Sequence, residues 1–297
     1  MDFLTVAQMA KRWDLSERSV RNYCSQGRVP GAVLAGRNWL IPAGAEKPSR
    51  QPRTPSASEA PGLLDVLRRE KDARLSGGIY HYVQVELTYN SNHIEGSRLT
   101  HEQTRFIFET NTVGVSEAVR VDDIVETVNH FQCVDRIIDT ARRTLTQSYL
   151  KELHRTLKTG TTDSKKSWFA TGDYKRLPNE VGGQPTVLPE DVECRMQALL
   201  EAYETGEPKS LEHIVAFHAA FEKIHPFQDG NGRVGRLVMF KECLRNGVVP
   251  FIITDELKMF YYRGLHEWSR ERGYLLDICL TAQDAFVEVQ RRFGLGL

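Results

Sequence analysis

Cysteine is scarce in this chain. The five present, Cys24, Cys133, Cys194, Cys243 and Cys279, are scattered and odd in number, which argues against a disulfide framework and fits a reducing cytoplasm. No apolar run is long enough to span a bilayer, so no membrane partner is expected. The start, Met1-Asp2-Phe3, has neither the basic flank nor the apolar core of a signal peptide. Net charge is absent as well: 39 Lys and Arg balance 39 Asp and Glu, so any face that binds a polyanion must be local. No His/Cys cluster has zinc-like spacing, and no internal repeat stands out. What is there is 297 residues, 40% hydrophobic, enough for one large core plus a small module.

The most informative stretch is His225-Pro226-Phe227-Gln228-Asp229-Gly230-Asn231-Gly232-Arg233-Val234-Gly235-Arg236. Before it, Ile214, Phe217, Phe221 and Ile224 recur at helical spacing, so an amphipathic helix runs from Leu211 to the His225-Pro226 break. After it, Arg233 to Arg245 reads as a second helix. Gly230-Asn231-Gly232 therefore opens a helix, where unpaired N–H groups and the helix dipole favour an anion. The neutral ring of His225 can take a proton from a hydroxyl. Asp229 offers hard oxygen to Mg²⁺ or Mn²⁺. Arg233 and Arg236, three apart, share a helix face and can clamp phosphate.

With every fixed position filled, this run resembles the Fic signature, His-Pro-Phe-x-Asp-Gly-Asn-Gly-Arg-x-x-Arg. The resemblance implies transfer of AMP from ATP to a Ser, Thr or Tyr hydroxyl of a protein, or of the chain itself. It makes His225 the base, Asp229 the metal ligand and Phe227 a buried anchor. Gly230, Asn231, Gly232 and Arg233 would cradle phosphates, and Arg236 would hold the far end of the triphosphate. Gly232 favours nucleotidyl over phosphoryl transfer, because the phosphate-transferring branch carries a bulky basic residue there.

Upstream, Tyr80 to Ile94 reads as a helix stopped by Gly96. Ser91-x-x-x-Glu95-Gly96 is similar to the Fic inhibitory motif, which implies that Glu95 pairs with Arg236 and misaligns bound ATP. The stretch from Gly172 to Val187 has the turn chemistry of a β-hairpin. By the same resemblance it is a flap that docks the target through Val181, Gly182, Gly183 and Gln184. Tyr261 and Tyr262 resemble a position near the adenine. Read from spacing alone they are core aromatics of a helix over Glu256 to Trp268, and His154 and His218 are packing residues on apolar helical faces.

Residues 1–42 differ in character. Thr5 and Gln8 make a capping box, helices follow over Val6–Arg12 and Glu17–Gln26, and Val33-Leu34 with Trp39-Leu40-Ile41 reads as a short hairpin. The segment resembles MerR/excisionase-like winged helix-turn-helix modules, which implies DNA as a partner. Arg18, Ser19, Arg21 and Asn22, with Glu17, are the exposed candidates on the second helix, and Arg37 would touch phosphate from the wing. Six basic residues against three acidic ones in 1–42 agree only mildly. Residues 43–61, with Pro48, Pro52, Pro55 and Pro61, have linker composition.

The expected architecture is mainly α: a winged helix-turn-helix over 1–42, a linker over 43–61, and a Fic-type helical bundle with one small β-hairpin flap over 62–297. The expected protein is a bacterial, cytoplasmic, auto-inhibited adenylyltransferase, with a homodimer left open. Two alternatives stay open beside it. In one the bundle senses nucleotide for a transcriptional regulator; in the other Glu95 orients a water that removes AMP.

Overall fold

The computed structural model describes residues 2–25, 27–35, 38–48, 62–114, 118–205 and 208–295. Arg37, the wing candidate, and most of the expected linker lie outside them. The chain divides into two compact units, Met1–Pro52 with Phe260–Thr281, and Arg53–Met259 with Ala282–Leu297.

In the first unit, β1 (Phe3–Thr5) leads into α1 (Val6–Trp13), and α2 (Glu17–Ser25) precedes β2 (Val33–Ala35) and β3 (Asn38–Pro42). The Thr5 hydroxyl accepts from the Gln8 N–H while the Gln8 side chain accepts from the Thr5 N–H, closing the capping box. Asp14, in the left-handed region at φ 55°, turns the chain between the helices. The strands form an antiparallel sheet in the order β1-β3-β2, with Phe3 opposite Pro42 and Val33 opposite Leu40. Met9, Trp13, Val20, Tyr23 and Ile41 fill the core between helices and sheet. Ser19 corrects an expectation: it is 1% exposed, and its hydroxyl hydrogen-bonds Ser16 at 2.9 Å and Thr281 at 3.1 Å. The segment 260–281 thus packs with the amino-terminal residues and removes Ser19 from the accessible face of α2.

The second unit is helical: α3 (Leu63–Asp72), α4 (Ile79–Ile94), α5 (His101–Thr110), α6 (Val121–Asp139), α7 (Gln147–Lys158), α8 (Pro189–Glu204), α9 (Leu211–Ile224) and α10 (Asn231–Arg245). Two further helices, α11 (Lys258–Glu267) and α12 (Gly273–Arg292), run across the division between units. The core joins Leu67, Val83, Val134, Ile137, Leu150, Leu153, Phe221, Phe227, Leu237 and Phe240. At its centre, α10 packs on α9, α6 and α4 and is buried from Asn231, through Arg233 and Arg236, to Leu244 apart from Gly232. A helix enclosed on every side can hold charge only where partners meet it.

The expected hairpin is shorter than its turn chemistry suggested. Only β4 (Glu180–Val181) and β5 (Gln184–Pro185) pair, around Gly182 and Gly183 at φ 57° and 75°. Two successive positive φ values suit a tight hairpin turn. Residues 172–176 form no strand; Tyr174 and Lys175 are buried instead.

Candidate active site

The site grows from the end of α9. The helix opens on a Ser210–His213 capping box and stops at His225, whose φ of 53° is left-handed; Pro226 has no N–H with which to continue the ladder. His225 Nδ1 lies 3.3 Å from the Glu222 carbonyl oxygen. A carbonyl only accepts, so Nδ1 carries the proton and Nε2 keeps its lone pair. Burial lowers the His225 pKa below the usual histidine value, against the opposing pull of the Glu222 carbonyl. The ring is therefore neutral at pH 7.

The following loop is pinned from inside. Phe227 is fully buried and stacks face to face on His154, with centroids 4.1 Å apart. The Phe227 N–H donates to Asn231 Oδ1 and its carbonyl accepts from Asn231 Nδ2, both at 2.8 Å. The Asn231 side chain is thus committed to the loop. His154 Nδ1 accepts from the Gly172 N–H at 3.0 Å, so Nε2 is protonated and donates to the Asp229 carbonyl at 3.1 Å. Burial, then Lys158, pushes the His154 pKa down to about 3.

Charge converges on the start of α10. Asp229 Oδ2 meets Lys158 Nζ at 2.6 Å and Arg233 Nη2 at 3.1 Å, and Glu126 bridges Lys158 and Arg233. Burial alone would raise the Asp229 pKa; Arg233 and Lys158 outweigh it and hold the carboxyl well below its usual range. Gly230 caps α10 at φ 84° without any side-chain cap, a conformation that favours glycine and leaves the first turn to other acceptors.

The Glu95 carboxylate stands at that turn. Its Oε1 is 2.7 Å from Arg236 Nη2, while Arg236 also donates to the Ser91 hydroxyl at 3.0 Å and the Ser91 carbonyl at 2.9 Å. A Cβ on Gly232 would fall 2.3 Å from Glu95 Oε1. A carboxylate therefore rests directly against the glycine-rich loop. Gly96, at φ 94°, lets the chain leave α4 just after Glu95.

Residues 144–243 match the model of the Fic/DOC family. These residues form a Fic domain. The chain is similar to proteins named protein adenylyltransferase Fic: 29% identical over 197 residues to that of Nematostella vectensis, covering 60% of this chain and 42% of the relative, and 32% over 211 residues to that of Drosophila melanogaster, covering 67% and 38%. It spans about two fifths of the length of these curated relatives. Among solved structures, a Fic domain containing signaling protein from Bacteroides thetaiotaomicron superposes with TM-score 0.62 at 24% identity, over 78% of this chain and 97% of that one. A Fic family protein from Desulfovibrio desulfuricans gives 0.57 at 23%, over 82% and 79%. The helical fold is shared with both.

Of the expected residues, His225, Phe227, Asp229, Gly230, Asn231, Gly232, Arg233 and Arg236 meet Ser91 and Glu95 around one end of the Fic domain's α10. Val181, Gly182, Gly183 and Gln184 are exposed on the hairpin. Tyr261 is fully buried and Tyr262 exposed, with ring centroids 5.6 Å apart, and both belong to the unit that holds the amino terminus. Sequence reasoning did not find Glu126, Lys158 and Glu222, and took His154 for packing. Lys158 follows the apolar face Leu150-Leu153-Leu157 and looks like an ordinary helix end; its partner Asp229 is 71 positions away. The Glu222 side chain is 13% exposed, Oε2 lies 3.9 Å from His225 Nδ1, and desolvation pushes its pKa up to about 8.

A divalent cation fits the donor set in one way. Asp229 is ionised and its side chain is 44% exposed, although Lys158 and Arg233 already share Oδ2. Among the described residues no group of three or more His, Cys, Asp or Glu could hold a metal. The residues suit a hard cation that takes most of its oxygens from a nucleotide and from water.

Proposed function

We propose that the chain is a protein adenylyltransferase that moves AMP from ATP to a protein hydroxyl and is held back by Glu95. The observation that carries this reading is the Glu95–Arg236 pair, seated against Gly232 in an anion cradle beside a neutral imidazole. His225 Nε2 takes the proton of the incoming hydroxyl, whose oxygen attacks the α-phosphorus as the bond to the β-phosphate oxygen breaks and pyrophosphate leaves. Backbone N–H groups of 230–232 and the Arg233 guanidinium meet the phosphates, and Arg236 receives the γ-phosphate once Glu95 withdraws. When bound at Asp229, Mg²⁺ neutralises phosphate charge.

While Glu95 stays, the far phosphate has no partner and the α-phosphorus is misaligned, and small misplacements cost large factors in rate. The test uses α-³²P-labelled ATP with wild type, Glu95→Gly and Glu95→Gly/His225→Ala. Label in Glu95→Gly alone supports base and brake together. Equal label in the first two removes the brake, and label in the double variant removes His225 as base. If Glu95→Gly instead lowers release of AMP from labelled protein, the reverse reaction is the better reading.

For the first unit we infer DNA binding through α2. Arg18 and Arg21 are exposed and Asn22 half-buried, while Arg21 pairs with Glu17 at 2.6 Å. Anisotropy of a labelled duplex should show binding that weakens with salt and with Arg18→Ala/Arg21→Ala. Binding unchanged in that variant removes α2 as the contact.

A further inference from the structure

We propose that Lys175 is a positioning residue that locks the β4–β5 hairpin and the His225 loop into one register. One side chain then sets both the docked hydroxyl and the imidazole that deprotonates it. This rests on reading 225–236 as a nucleotidyl-transfer site.

Lys175 is 3% exposed. Its ammonium meets three oxygens, none of them a carboxylate's: Asn179 Oδ1 at 2.7 Å, Thr186 Oγ1 at 2.6 Å and the Ile224 carbonyl at 3.5 Å. Three acceptors match its three protons. Two of them flank the hairpin and the third precedes His225. The backbone repeats the link, since the Lys175 N–H donates to the Pro226 carbonyl at 2.8 Å. Asn179 Nδ2 reaches the Phe227 carbonyl at 3.0 Å, and the Leu177 N–H reaches Gln228 Oε1 at 3.2 Å. The carbonyls of 224, 226 and 227 are thus all held from the hairpin side.

This clamp surrounds a left-handed histidine, a costly backbone state for a residue with a Cβ, which persists only where neighbours over-determine it. A buried ammonium without an anionic partner is itself costly, and burial lowers its pKa to about 8. A neutral side chain would join two loops at less cost. What the ammonium adds is three directed bonds from one point. The hydrogen bonds of Lys175 go to Asn179, Thr186, Ile224 and Pro226 and to no residue from Asp229 to Arg236, so nucleotide grip and hydroxyl placement are separable.

The experiment has two arms. The first compares amide hydrogen exchange of the full chain and Lys175→Met. Exchange should rise at least about tenfold in 177–187 and 225–228 while 233–245 stays protected. Unchanged exchange in those segments overturns the proposal, and so does loss of protection throughout. This arm stands whether or not the chain transfers AMP.

The second arm measures label transfer from α-³²P-labelled ATP in the Glu95→Gly background, with fluorescent mant-ATP binding alongside. Lys175→Met should cut kcat about 100-fold at an unchanged KM and Kd for nucleotide, and Thr186→Val, which removes one acceptor, should give an intermediate loss. Transfer that falls only in step with nucleotide affinity overturns the positioning role. A Glu95→Gly parent that takes no label refutes the transfer reading instead, and the exchange arm then decides the clamp.

Discussion

Replacing Glu95 with glycine should change stability and nucleotide affinity in opposite directions. Arg236 is 3% exposed and Glu95 25%, so the variant leaves a largely buried guanidinium without its carboxylate. Losing one partner of a fully buried pair costs about 3–5 kcal/mol. Here Glu95 is partly solvated and Arg236 keeps both bonds to Ser91, so about 1–3 kcal/mol is expected. At about 2–4 °C per kcal/mol for a protein of this size, Tm should fall by about 2–12 °C. The same carboxylate opposes a phosphate entering the cradle. Two such charges about 4 Å apart repel by about 4 kcal/mol at an effective dielectric constant of 20, and partial exposure trims this to about 1–3 kcal/mol. Nucleotide should therefore bind about 5- to 150-fold more tightly to the variant, and excess nucleotide should restore its melting temperature. Melting curves with and without Mg²⁺-ATP, together with mant-ATP titration, measure both effects. An unchanged apo Tm with a Kd within twofold of wild type would refute the electrostatic reasoning.

Other outcomes follow from the same contacts. Transfer by Glu95→Gly should be flat near pH 7 and fall with acid at a midpoint below 6.5, because burial lowers the His225 pKa; a midpoint above 7 excludes a neutral imidazole as base. His130, His154 and His218 are buried with pKa values of about 3, below the unfolded value of about 6.5, so unfolding takes up protons and stability is lost as pH falls from about 6.5 towards 3. Glu222, raised to about 8, acts in the opposite direction between about 4.3 and 8. The net of three imidazoles against one carboxyl is about 3 kcal/mol per pH unit near pH 5, and urea unfolding at pH 7, 6 and 5 that shows no slope would refute it. Gly264→Ala would place a Cβ 2.8 Å from the Leu275 Cα, where backbone cannot yield cheaply; a loss of about 1–3 kcal/mol is expected, and an unchanged melting curve would show that α11 and α12 separate without cost.

The helices were legible in the chain through apolar residues at 3.6 spacing, the capping box at Thr5, and the glycines Gly27, Gly96 and Gly247 that follow α2, α4 and α10. β1 was not, since three residues have no period and its partner lies near residue 40. The hairpin was drawn too long because the glycines that mark turns at 172–183 say nothing of which intervening residues pack inward. Tyr174 and Lys175 do so, and the strands begin only at Glu180. Ser19 was misplaced because its partner Thr281 is 262 positions away.

By itself the sequence determined the parts of the site. A histidine, a carboxylate, a glycine-rich turn and two arginines fall in one short run, so local geometry alone places them at a helix start, and the short inhibitory motif suggested a glutamate for Arg236. Tertiary structure decided how those parts are set. It placed Glu95 at 2.7 Å from Arg236 and against Gly232, committed the Asn231 side chain to its own loop, and brought Lys158 and Glu126 to Asp229 and Arg233. Charges on separate helices meet only when the core closes, and burial then gives each pair its strength and each unpaired group its cost.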